Sequence, residues 1–564
     1  MASIPLESAR TSPSAAEARA ATGELTIRRL VLAHLWLAFG AFLIACVLGA
    51  WQMWARSPLK APAHTAENYF QSVTLHGVSM AYVLSTFFIM GFGYYVAETA
   101  LGRAMPALRL GWIAFWVGVA GVVMAVLAVV SGNASVLYTF YPPLTATPWF
   151  YIGLVLVVIG SWIWCGLMIA AMVAWKRANP GRPVPLAMFA TVANAIMWLW
   201  TTVGVTAELL FQVIPAAFGW METVDVGLSR TLFSWTLHAI VYFWLFPSYI
   251  AFYTMAPREA GGRLYSDTMG RITFILFLLY SLPVGMHHLF MDPEHSSGFK
   301  FVQMVLTALV AVPTLLTVFT ITASMELAGR MRGGTGLLGW IKALPWERPM
   351  VLATGLAFVM LFFGGGGGLI NMSYGMNAMI HNTSWVTAHF HLIFGGTVVI
   401  MYFADAYAIW PTLTGRQFRS MKAIRLQLWL WFAGMMVMTL PWHYLGLQGQ
   451  WRRVAAFDYT DPIIATWGPW VIVSLVGGLL LLLSAVMLVW NLAQPAKARA
   501  AESTYRYAVA VHPPAQVPRA LNGFGLWNVL VAVLMLAAYG WPIAQFFFDP
   551  PPEAMVHRLD RGVD

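Results

Sequence analysis

Thirteen apolar stretches, each long enough to cross a lipid bilayer as a helix, follow one another along the 564 residues of the chain. A hydrocarbon core about 30 Å thick needs about 20 consecutive apolar residues from a helix, and backbone groups inside it must bond to one another. Charged residues make up only 10% of the sequence, whereas soluble domains carry about 25%. We therefore predict an all-α, polytopic membrane bundle whose spans lie at about 30–53, 72–97, 108–131, 149–175, 185–217, 230–255, 270–291, 299–325, 350–370, 384–410, 424–446, 464–492 and 523–546.

The distribution of Lys and Arg predicts how this bundle is oriented. Loops on the cytoplasmic side of membrane proteins carry an excess of these residues. If the spans alternate strictly, 24 of the 32 Lys and Arg residues fall on the side of the N-terminus and only 8 on the other. The N-terminus is therefore predicted to be cytoplasmic and the C-terminus to lie outside. The formal net charge of +10 then belongs to loops near anionic lipid and not to a nucleic-acid surface.

The same pattern divides the chain into four parts. Residues 1–29 are polar and lack the apolar stretch of a cleavable signal, so we interpret them as a disordered cytoplasmic tail. Twelve spans form a core at 30–492, and a cytoplasmic loop follows at 493–522. Residues 523–564 contain an additional span and a short outer tail.

Six of the thirteen histidines are predicted to lie at one depth, in the outer third of the membrane. A single histidine in the membrane can be explained by an interhelical hydrogen bond as well as by a functional role. Several polar groups at one depth in lipid indicate a functional site. Imidazole suits copper, iron and zinc. The two cysteines, Cys46 and Cys165, lie in apolar stretches, and this excludes a Cys-ligated zinc site, an iron–sulfur cluster and a disulfide framework. The six histidines come from four spans and are His76, His238, His287, His288, His389 and His391.

The segment T-A-H-F-H-L, residues 387–392, constrains how these histidines are used. Residues two apart on a helix point about 200° apart, so His389 and His391 cannot share one metal. Each can hold a different cofactor on its own side of the helix. His76 could supply a second axial ligand to one of them, which would make a closed, electron-transferring haem, while the other haem keeps an open position.

His238, His287 and His288 remain for a third centre. Three neutral imidazoles with an open position make a reactive copper site. Adjacent residues on a regular helix point about 100° apart, so we expect His287 and His288 to converge where the helix ends, shortly before Pro293.

The histidines stand in a distinctive set of segments: R-T-L-F-S-W-T-L-H-A-I-V-Y at 230–242, S-L-P-V-G-M-H-H at 281–288, M-R-G-G-T-G-L-L-G-W-I-K-A-L-P-W at 331–346 and H-N-T-S-W-V at 381–386. Together with the order of the six histidines, these segments resemble subunit I of the haem–copper oxygen reductases over about residues 30–490. The B-type cytochrome c oxidases are the most similar branch. The resemblance implies two haems, one low-spin and one high-spin, and one copper ion, CuB. It assigns the low-spin haem to His76 and His391, the high-spin haem to His389, and CuB to His238, His287 and His288.

Tyr242 follows His238 by one helical turn, so the two side chains share a helix face. In the family that the sequence resembles, this tyrosine is covalently linked to the histidine and supplies an electron and a proton when the O–O bond is cleaved. A core aromatic is the alternative interpretation. Nitric oxide reductases, which share the histidine frame, need a glutamate at this position. A haem-free transporter is a further alternative, but it gives no reason for two histidines that face opposite ways.

Ile240 stands where the A-type oxidases have a glutamate, so the resemblance leaves a single proton route from the cytoplasm. It implies that this route is lined by Tyr249, Tyr253, Thr314 and Thr317. Their hydroxyl groups can hold a chain of water molecules. Ordinary hydroxyl packing between helices is the alternative interpretation.

Arg452 and Arg453 lie in a loop on the predicted outer side, where few Lys and Arg residues are expected. Guanidinium groups pair with carboxylates, and the resemblance implies that both arginines contact haem propionates; a solvated pair in a loop is the alternative. Asn377 stands where the resemblance leads us to expect an aspartate near a propionate, and His381 could share that role. No role is predicted for the intramembrane carboxylates Glu208 and Asp405 or for the five glycines at 364–368.

The resemblance implies the catalytic subunit of a respiratory terminal oxidase in the bacterial cytoplasmic membrane, which reduces O2 to water and translocates protons. A CuA centre needs cysteine ligands that this chain does not offer, so a subunit II that carries CuA is implied, with cytochrome c as the electron donor. A quinol-fed oxidase with the same subunit I is the first alternative. A nitric oxide reductase and a haem-free transporter come after it.

Overall fold

The computed structural model describes residues 25–59, 61, 64–548 and 556–558. Among these residues, thirteen helical segments are long and apolar enough to cross a membrane. They are α1 Arg28–Ala55, α2 Ala66–Leu101, α3 Leu108–Val130, α4 Pro148–Ala178, α5 Leu186–Ala217, α6 Val226–Glu259, α7 Asp267–Leu289, α8 Ser297–Met331, α9 Pro349–Met372, α10 Ser384–Thr414, α11 Met421–Leu447, α12 Gly468–Ala493 and α13 Gly525–Phe548. The prediction of an all-α membrane bundle with thirteen spans is confirmed. The predicted tail at 1–29 lies outside the described residues except for 25–29, and most of the predicted outer tail also lies outside them.

Several of these segments change their helical geometry along their length. Three segments contain a π-helical turn. In α2 the turn Ser79–Leu84 lies between Ala66–Val78 and Ser85–Leu101, in α5 the turn Leu209–Val213 lies between Leu186–Glu208 and Ile214–Ala217, and in α10 the turn His391–Val398 lies between Ser384–Phe390 and Val399–Thr414. The other three segments consist of two parts each: α6 of Val226–Thr254 and Ala256–Glu259, α7 of Asp267–Ser281 and the 3-10 helix Leu282–Leu289, and α8 of Ser297–Ala308 and Ala311–Met331. Single π turns are rare and often occur at functional sites. Two of the three lie at predicted haem ligands, since one begins at His391 and another begins three residues after His76.

The connecting segments contain only short elements. The helices among them are Gly339–Ala343, Tyr374–Ile380, Pro462–Ala465 and the 3-10 turn Arg519–Leu521. The strands are β1 Thr223–Asp225, β2 Arg416–Phe418, β3 Pro495–Arg499 and β4 Val556–Arg558. They form two antiparallel pairs, β1 with β4 and β2 with β3. Each pair ties a segment near the C-terminus to a loop between earlier spans.

Side-chain caps fix the starts of the two helices that carry most of the predicted site. Asp225 accepts a hydrogen bond from the backbone N–H of Leu228 at 2.9 Å and begins α6. The hydroxyl group of Thr383 accepts from the N–H of Trp385 at 3.3 Å and begins α10. Such caps satisfy N–H groups that the first helical turn leaves without partners.

The helices α5, α6 and α10 form the centre of the bundle, whereas α8 and α13 bury only about a third of their most apolar stretches. The rings of Trp198 on α5 and Phe243 on α6 stack with their centroids 4.0 Å apart. The hydroxyl group of Tyr402 on α10 donates to the backbone oxygen of Trp244 on α6 at 2.6 Å. These contacts hold together the helices from which the site is built.

The predicted cytoplasmic loop at 493–522 docks against the end of α6. Arg258 donates to both carboxylate oxygens of Glu502, at 2.7 and 2.8 Å, and its guanidinium lies 4.4 Å from the ring centroid of Tyr505. The backbone N–H of Ala508 donates to the backbone oxygen of Thr254 at 2.6 Å. The loop therefore closes the end of the bundle that is predicted to face the cytoplasm.

Candidate functional site

Three histidines meet between α6 and the end of α7. His238 comes from α6, and His287 and His288 come from the 3-10 part of α7. One ring nitrogen from each lies within 4.8 Å of the others. The ring centroid of His238 lies 4.4 Å from that of His287 and 5.7 Å from that of His288. In the part of the chain that the structure describes, this is the one group of three or more His, Cys, Asp or Glu residues with the spacing of a metal site.

A break in α7 explains how two adjacent histidines can point to one place. Regular α-helix ends at Ser281, and Pro283 and Val284 have non-helical backbone angles (φ −85°, ψ 17° and φ −125°, ψ 22°). The 3-10 geometry that follows turns the chain more tightly than an α-helix. The predicted convergence near the end of the helix is therefore present, since α7 ends at Leu289, shortly before Pro293, and the break at Pro283 supplies the change of direction.

The polar atoms of this group fit a bound metal ion. The Nε2 atoms of His238 and His288 are buried and have no hydrogen-bond partner among the described residues. The Nδ1 atom of His287 is held by the backbone oxygen of Val284 and by the hydroxyl group of Thr307 at 3.2 Å. Buried nitrogen atoms of this kind are costly unless a ligand pairs with them. Three imidazoles are a suitable donor set for copper.

His76 and His391 face each other across a gap on one side of α10. Their ring planes are 16° apart and their centroids are separated by 6.3 Å. Each uses Nδ1 to bond to a backbone oxygen at 2.8 Å, that of Ala45 for His76 and that of Thr387 for His391. Their Nε2 atoms are left to hold a group between the two rings, and this arrangement fits the bis-histidine haem that the resemblance implies.

A cavity surrounds this gap, and we call the end of the cavity at the exposed residue Arg453 its mouth. The two histidines line it together with Phe42, Met435, Arg452 and Arg453. Apolar walls with a few polar groups at one end are typical of a cofactor site. The residues present therefore fit the low-spin haem that the resemblance implies.

His389 lies on the opposite side of α10, against the glycines of α9. Its Nδ1 atom bonds to the backbone oxygen of Gly364 at 2.8 Å. A Cβ atom at Gly368 would lie only 3.1 Å from Cε1 of His389, and one at Gly367 would lie 3.3 Å from its Nδ1 atom. The glycine run therefore lets α9 approach this imidazole closely, a role that the sequence did not reveal because the partner lies on another helix.

Arg452 and Arg453 lie at the cavity mouth. Arg453 adopts a left-handed backbone conformation with φ 61°. The backbone N–H of Arg452 donates to the oxygen of Asn382 at 3.0 Å, and its buried Nε atom has no partner within the described residues. Burial, together with the charge of Arg453, lowers the pKa of Arg452 to about 10, so the guanidinium remains protonated at neutral pH. Two cations here are suited to anionic groups of a ligand.

His381 and Asn377 form a hydrogen-bonded pair near these arginines. The Nδ1 atom of His381 lies 2.9 Å from Oδ1 of Asn377, whose amide nitrogen donates to the backbone oxygen of Asn371 at 2.7 Å. Since the Asn377 oxygen can only accept, His381 carries its proton on Nδ1. Burial lowers the pKa of His381 to about 4, and the charge of Arg452 acts in the same direction, so the ring is neutral at pH 7.

Tyr242 lies directly beside the three-histidine group. Its ring centroid is 5.1 Å from that of His238. Further along α6, the hydroxyl group of Tyr249 is 3.5 Å from that of Thr314, and the hydroxyl group of Tyr253 is 3.2 Å from that of Thr317. The structure thus brings the four predicted path residues together as two pairs between α6 and α8. The sequence prediction missed Thr273 on α7, whose hydroxyl group accepts from Tyr253 at 3.0 Å.

Glu208 and Asp405 are fully buried, on α5 and α10. Neither carboxyl group has a hydrogen-bond partner among the residues described. They take no part in the centres described above.

The sequence profile of the family described as "Cytochrome C and Quinol oxidase polypeptide I" matches residues 29–480. The chain belongs to this family. Cytochrome c oxidase subunit 1 of Thermus thermophilus is 37% identical to this oxidase subunit over 543 residues, or 93% of the chain and 96% of the relative. The alternative cytochrome c oxidase subunit 1 of Bradyrhizobium diazoefficiens is 25% identical over 537 residues, or 88% and 87% of the two chains. A solved haem–copper terminal oxidase dimer matches with a TM-score of 0.87 at 33% identity, over 92% of each chain.

These similarities confirm the predicted class of enzyme. The chain is the membrane-embedded, multi-pass catalytic subunit of a haem–copper terminal oxidase, which binds two haems and CuB and reduces O2. Tyr242 stands where a nitric oxide reductase is predicted to have a glutamate, and both relatives carry the name of an oxidase.

Substitution of one glycine in α9 tests whether this oxidase subunit needs the close approach of α9 to α10. In Gly364→Ala, the new Cβ would lie 2.7 Å from Cδ1 of Ile393, and such overpacking costs about 1–3 kcal/mol. Gly366→Ala is the matched control, because no described heavy atom beyond its chain neighbours and its own helix backbone lies within 4 Å of its Cβ position, and alanine favours a helix over glycine by up to about 1 kcal/mol. Both variants gain this helix propensity, so we expect the thermal unfolding midpoint of Gly364→Ala, at a fixed scan rate, to lie below that of Gly366→Ala, and that of Gly366→Ala to be equal to or above the wild-type value. Equal midpoints for both variants would contradict this packing role.

Proposed function

We propose that the six histidines divide as the sequence resemblance implies. His76 and His391 would ligate the low-spin haem, His389 the high-spin haem, and His238, His287 and His288 the CuB ion. The observation that carries this proposal is that α10 separates a parallel histidine pair on one side from His389 on the other. The two haems and CuB supply, when bound, the electron transfer and the oxygen-reducing chemistry.

Tyr242 is the proposed source of an electron and a proton for cleavage of the O–O bond. Its ring lies in contact with a histidine of the metal group, in a buried position from which bulk water is excluded. A phenol can give both an electron and a proton from one side chain, so the centre does not need to wait for either during the cleavage.

Tyr249, Tyr253, Thr314 and Thr317 are the proposed route for protons towards Tyr242. They lie on α6 and α8, in contact across the helix interface. Thr273 extends the second pair to a third helix. Hydroxyl groups both donate and accept, which is what proton transfer along a chain of groups requires. The entrance of this route would lie on the side that is predicted to be cytoplasmic.

Arg452 and Arg453 are the proposed partners of the haem propionates at the outer end of the cavity. Electrons would arrive from cytochrome c through a subunit II that carries a CuA centre, because both cysteines of this chain are buried within spans and are far apart in sequence. The enzyme would lie in the bacterial cytoplasmic membrane and couple O2 reduction to proton translocation. These proposals, and the B-type assignment, rest on the resemblance and on the names of the relatives.

Difference spectra of the purified enzyme test the haem assignments. The dithionite-reduced minus oxidised spectrum should show two haems, only one of which binds carbon monoxide. In His76→Leu we expect the low-spin signal to be lost and the carbon monoxide signal to remain. His512→Leu, in an exposed loop, should leave both signals unchanged. A colourless enzyme would favour the transporter, and loss of the carbon monoxide signal in His76→Leu would refute the assignment of that histidine.

Replacement of Tyr242 by phenylalanine should abolish O2 consumption while both haem signals remain, because the substitution removes the phenol and keeps the packing of the ring. Tyr407→Phe is the matched control, since Tyr407 is buried and donates to Gln427 at 3.1 Å away from the metal group. Polarographic O2 uptake and the difference spectrum should be measured on the same samples. Normal turnover of the Tyr242→Phe enzyme would refute the proposed role.

Thr317→Ala tests the proton path. Thr317 and Thr354 are both buried and both donate to a backbone oxygen of their own helix, at 2.9 and 2.8 Å, but only Thr317 also contacts a tyrosine hydroxyl group. We expect O2 uptake to fall by about tenfold or more in Thr317→Ala, since a positioned proton-transfer group contributes at least that much. Thr354→Ala should retain the wild-type rate. Identical rates for the two variants would argue for simple packing.

A further inference from the structure

The segment that carries His287 and His288 is held from three sides. On α6, the hydroxyl group of Ser234 donates to the sulfur atom of Met286 at 3.0 Å. On α8, Gln303 donates to the backbone oxygen of Pro283 at 3.4 Å. The third contact comes from α13, which lies beyond the region matched by the family profile.

Tyr539 on α13 bonds directly to the broken part of α7. Its hydroxyl group accepts a hydrogen bond from the backbone N–H of Gly285 at 2.9 Å. The break at Pro283 and Val284 takes this N–H group out of the regular helical pattern, so it needs a partner from elsewhere. Any side chain at Gly285 would collide with the backbone oxygen of Ser234 and with the Tyr539 hydroxyl group, so glycine is required for this close approach.

The same tyrosine also contacts the helix that carries the third ligand. The ring of Tyr539 lies 4.7 Å from the ring of Trp235, which precedes His238 by three residues on α6. The indole of Trp235 is fixed in turn, because it donates to the backbone oxygen of Trp200 at 2.7 Å. Tyr539 is fully buried. One side chain from the last span therefore connects α6 to the segment that carries His287 and His288.

A second contact keeps α13 in register with this segment. Gln545 lies 3.3 Å from the backbone oxygen of Glu294 and from Nδ1 of His295, just beyond the end of α7. At the same end of α13, Phe546 packs so closely on the start of α6 that a Cβ atom at Gly227 would lie 2.9 Å from its ring. These contacts, both on the C-terminal side of Tyr539, fix how this end of α13 sits against α6 and the segment after α7.

We propose that Tyr539 is a positioning residue for the CuB site, because its hydrogen bond to Gly285 holds the turn that directs His287 and His288 towards His238. The inference rests on the proposed assignment of these three histidines to copper. Groups that orient metal ligands without touching the metal commonly contribute about 10- to 100-fold to metal affinity.

Tyr539→Phe tests this role, because it removes the acceptor oxygen and keeps the ring against Trp235. We expect copper affinity, measured by competition with a copper chelator, to fall by about tenfold or more, with both haems retained in the difference spectrum. The infrared band of carbon monoxide bound to copper after photolysis should also broaden or shift. Trp527→Phe is the control on the same helix, since it removes a hydrogen bond to Ala520 and part of a packed ring at the other end of α13.

The possible outcomes distinguish this inference from the proposed function. Wild-type copper affinity and an unchanged infrared band in Tyr539→Phe would overturn the inference. Loss of the haems together with copper would also overturn it, because this would show a general role in folding. A wild-type enzyme that binds no copper would instead contradict the proposed function of the three histidines, on which the inference depends.

Discussion

Backbone oxygen atoms hold four of the six central histidines in place. The Nδ1 atoms of His76, His389 and His391 each bond to such an oxygen at 2.8 Å, and that of His287 bonds to the oxygen of Val284. Because an oxygen of this kind can only accept, each of these rings is protonated on Nδ1 and presents an unprotonated Nε2 atom. The tautomer and the direction of each potential ligand are therefore set by the helices themselves, before any cofactor binds.

Three of these oxygens belong to regular α-helix, whereas that of Val284 lies in the irregular end of α7. Irregular helix is important here for the direction of the side chains. In an α-helix most backbone oxygens are already bonded, and side chains can only point in fixed directions. The π turn that begins at His391 and the 3-10 end of α7 change the direction of side chains locally. The break at Pro283 allows two consecutive imidazoles to reach one metal, and contacts from neighbouring helices then replace the backbone bonds that the break removes.

Much of this arrangement could be predicted from the sequence, because it depends on local rules. The lengths of the apolar stretches predicted the thirteen helices. The angle between residues two apart on a helix predicted that His389 and His391 lie on opposite sides of α10. Contacts between distant helices could not be predicted in the same way. The glycines at 364–368 showed that something lies close to α9 but not that it is His389, and nothing local to Thr273 or Thr307 indicates their bonds to Tyr253 and His287. The loop at 493–522 was predicted only as a connection, although it docks on α6.

The backbone of Arg453 shows what the cavity mouth requires. Glycine adopts a φ of 61° without strain. For a residue with a side chain, this conformation costs about 1–2 kcal/mol of folding free energy. Arginine at this position therefore makes the folded protein less stable than glycine would. It provides a second fixed positive charge next to Arg452, which raises the local electrostatic potential at the mouth of the cavity even before an anion arrives. A small loss of stability is thus exchanged for an attractive electrostatic field at the end of the cavity that these two arginines line.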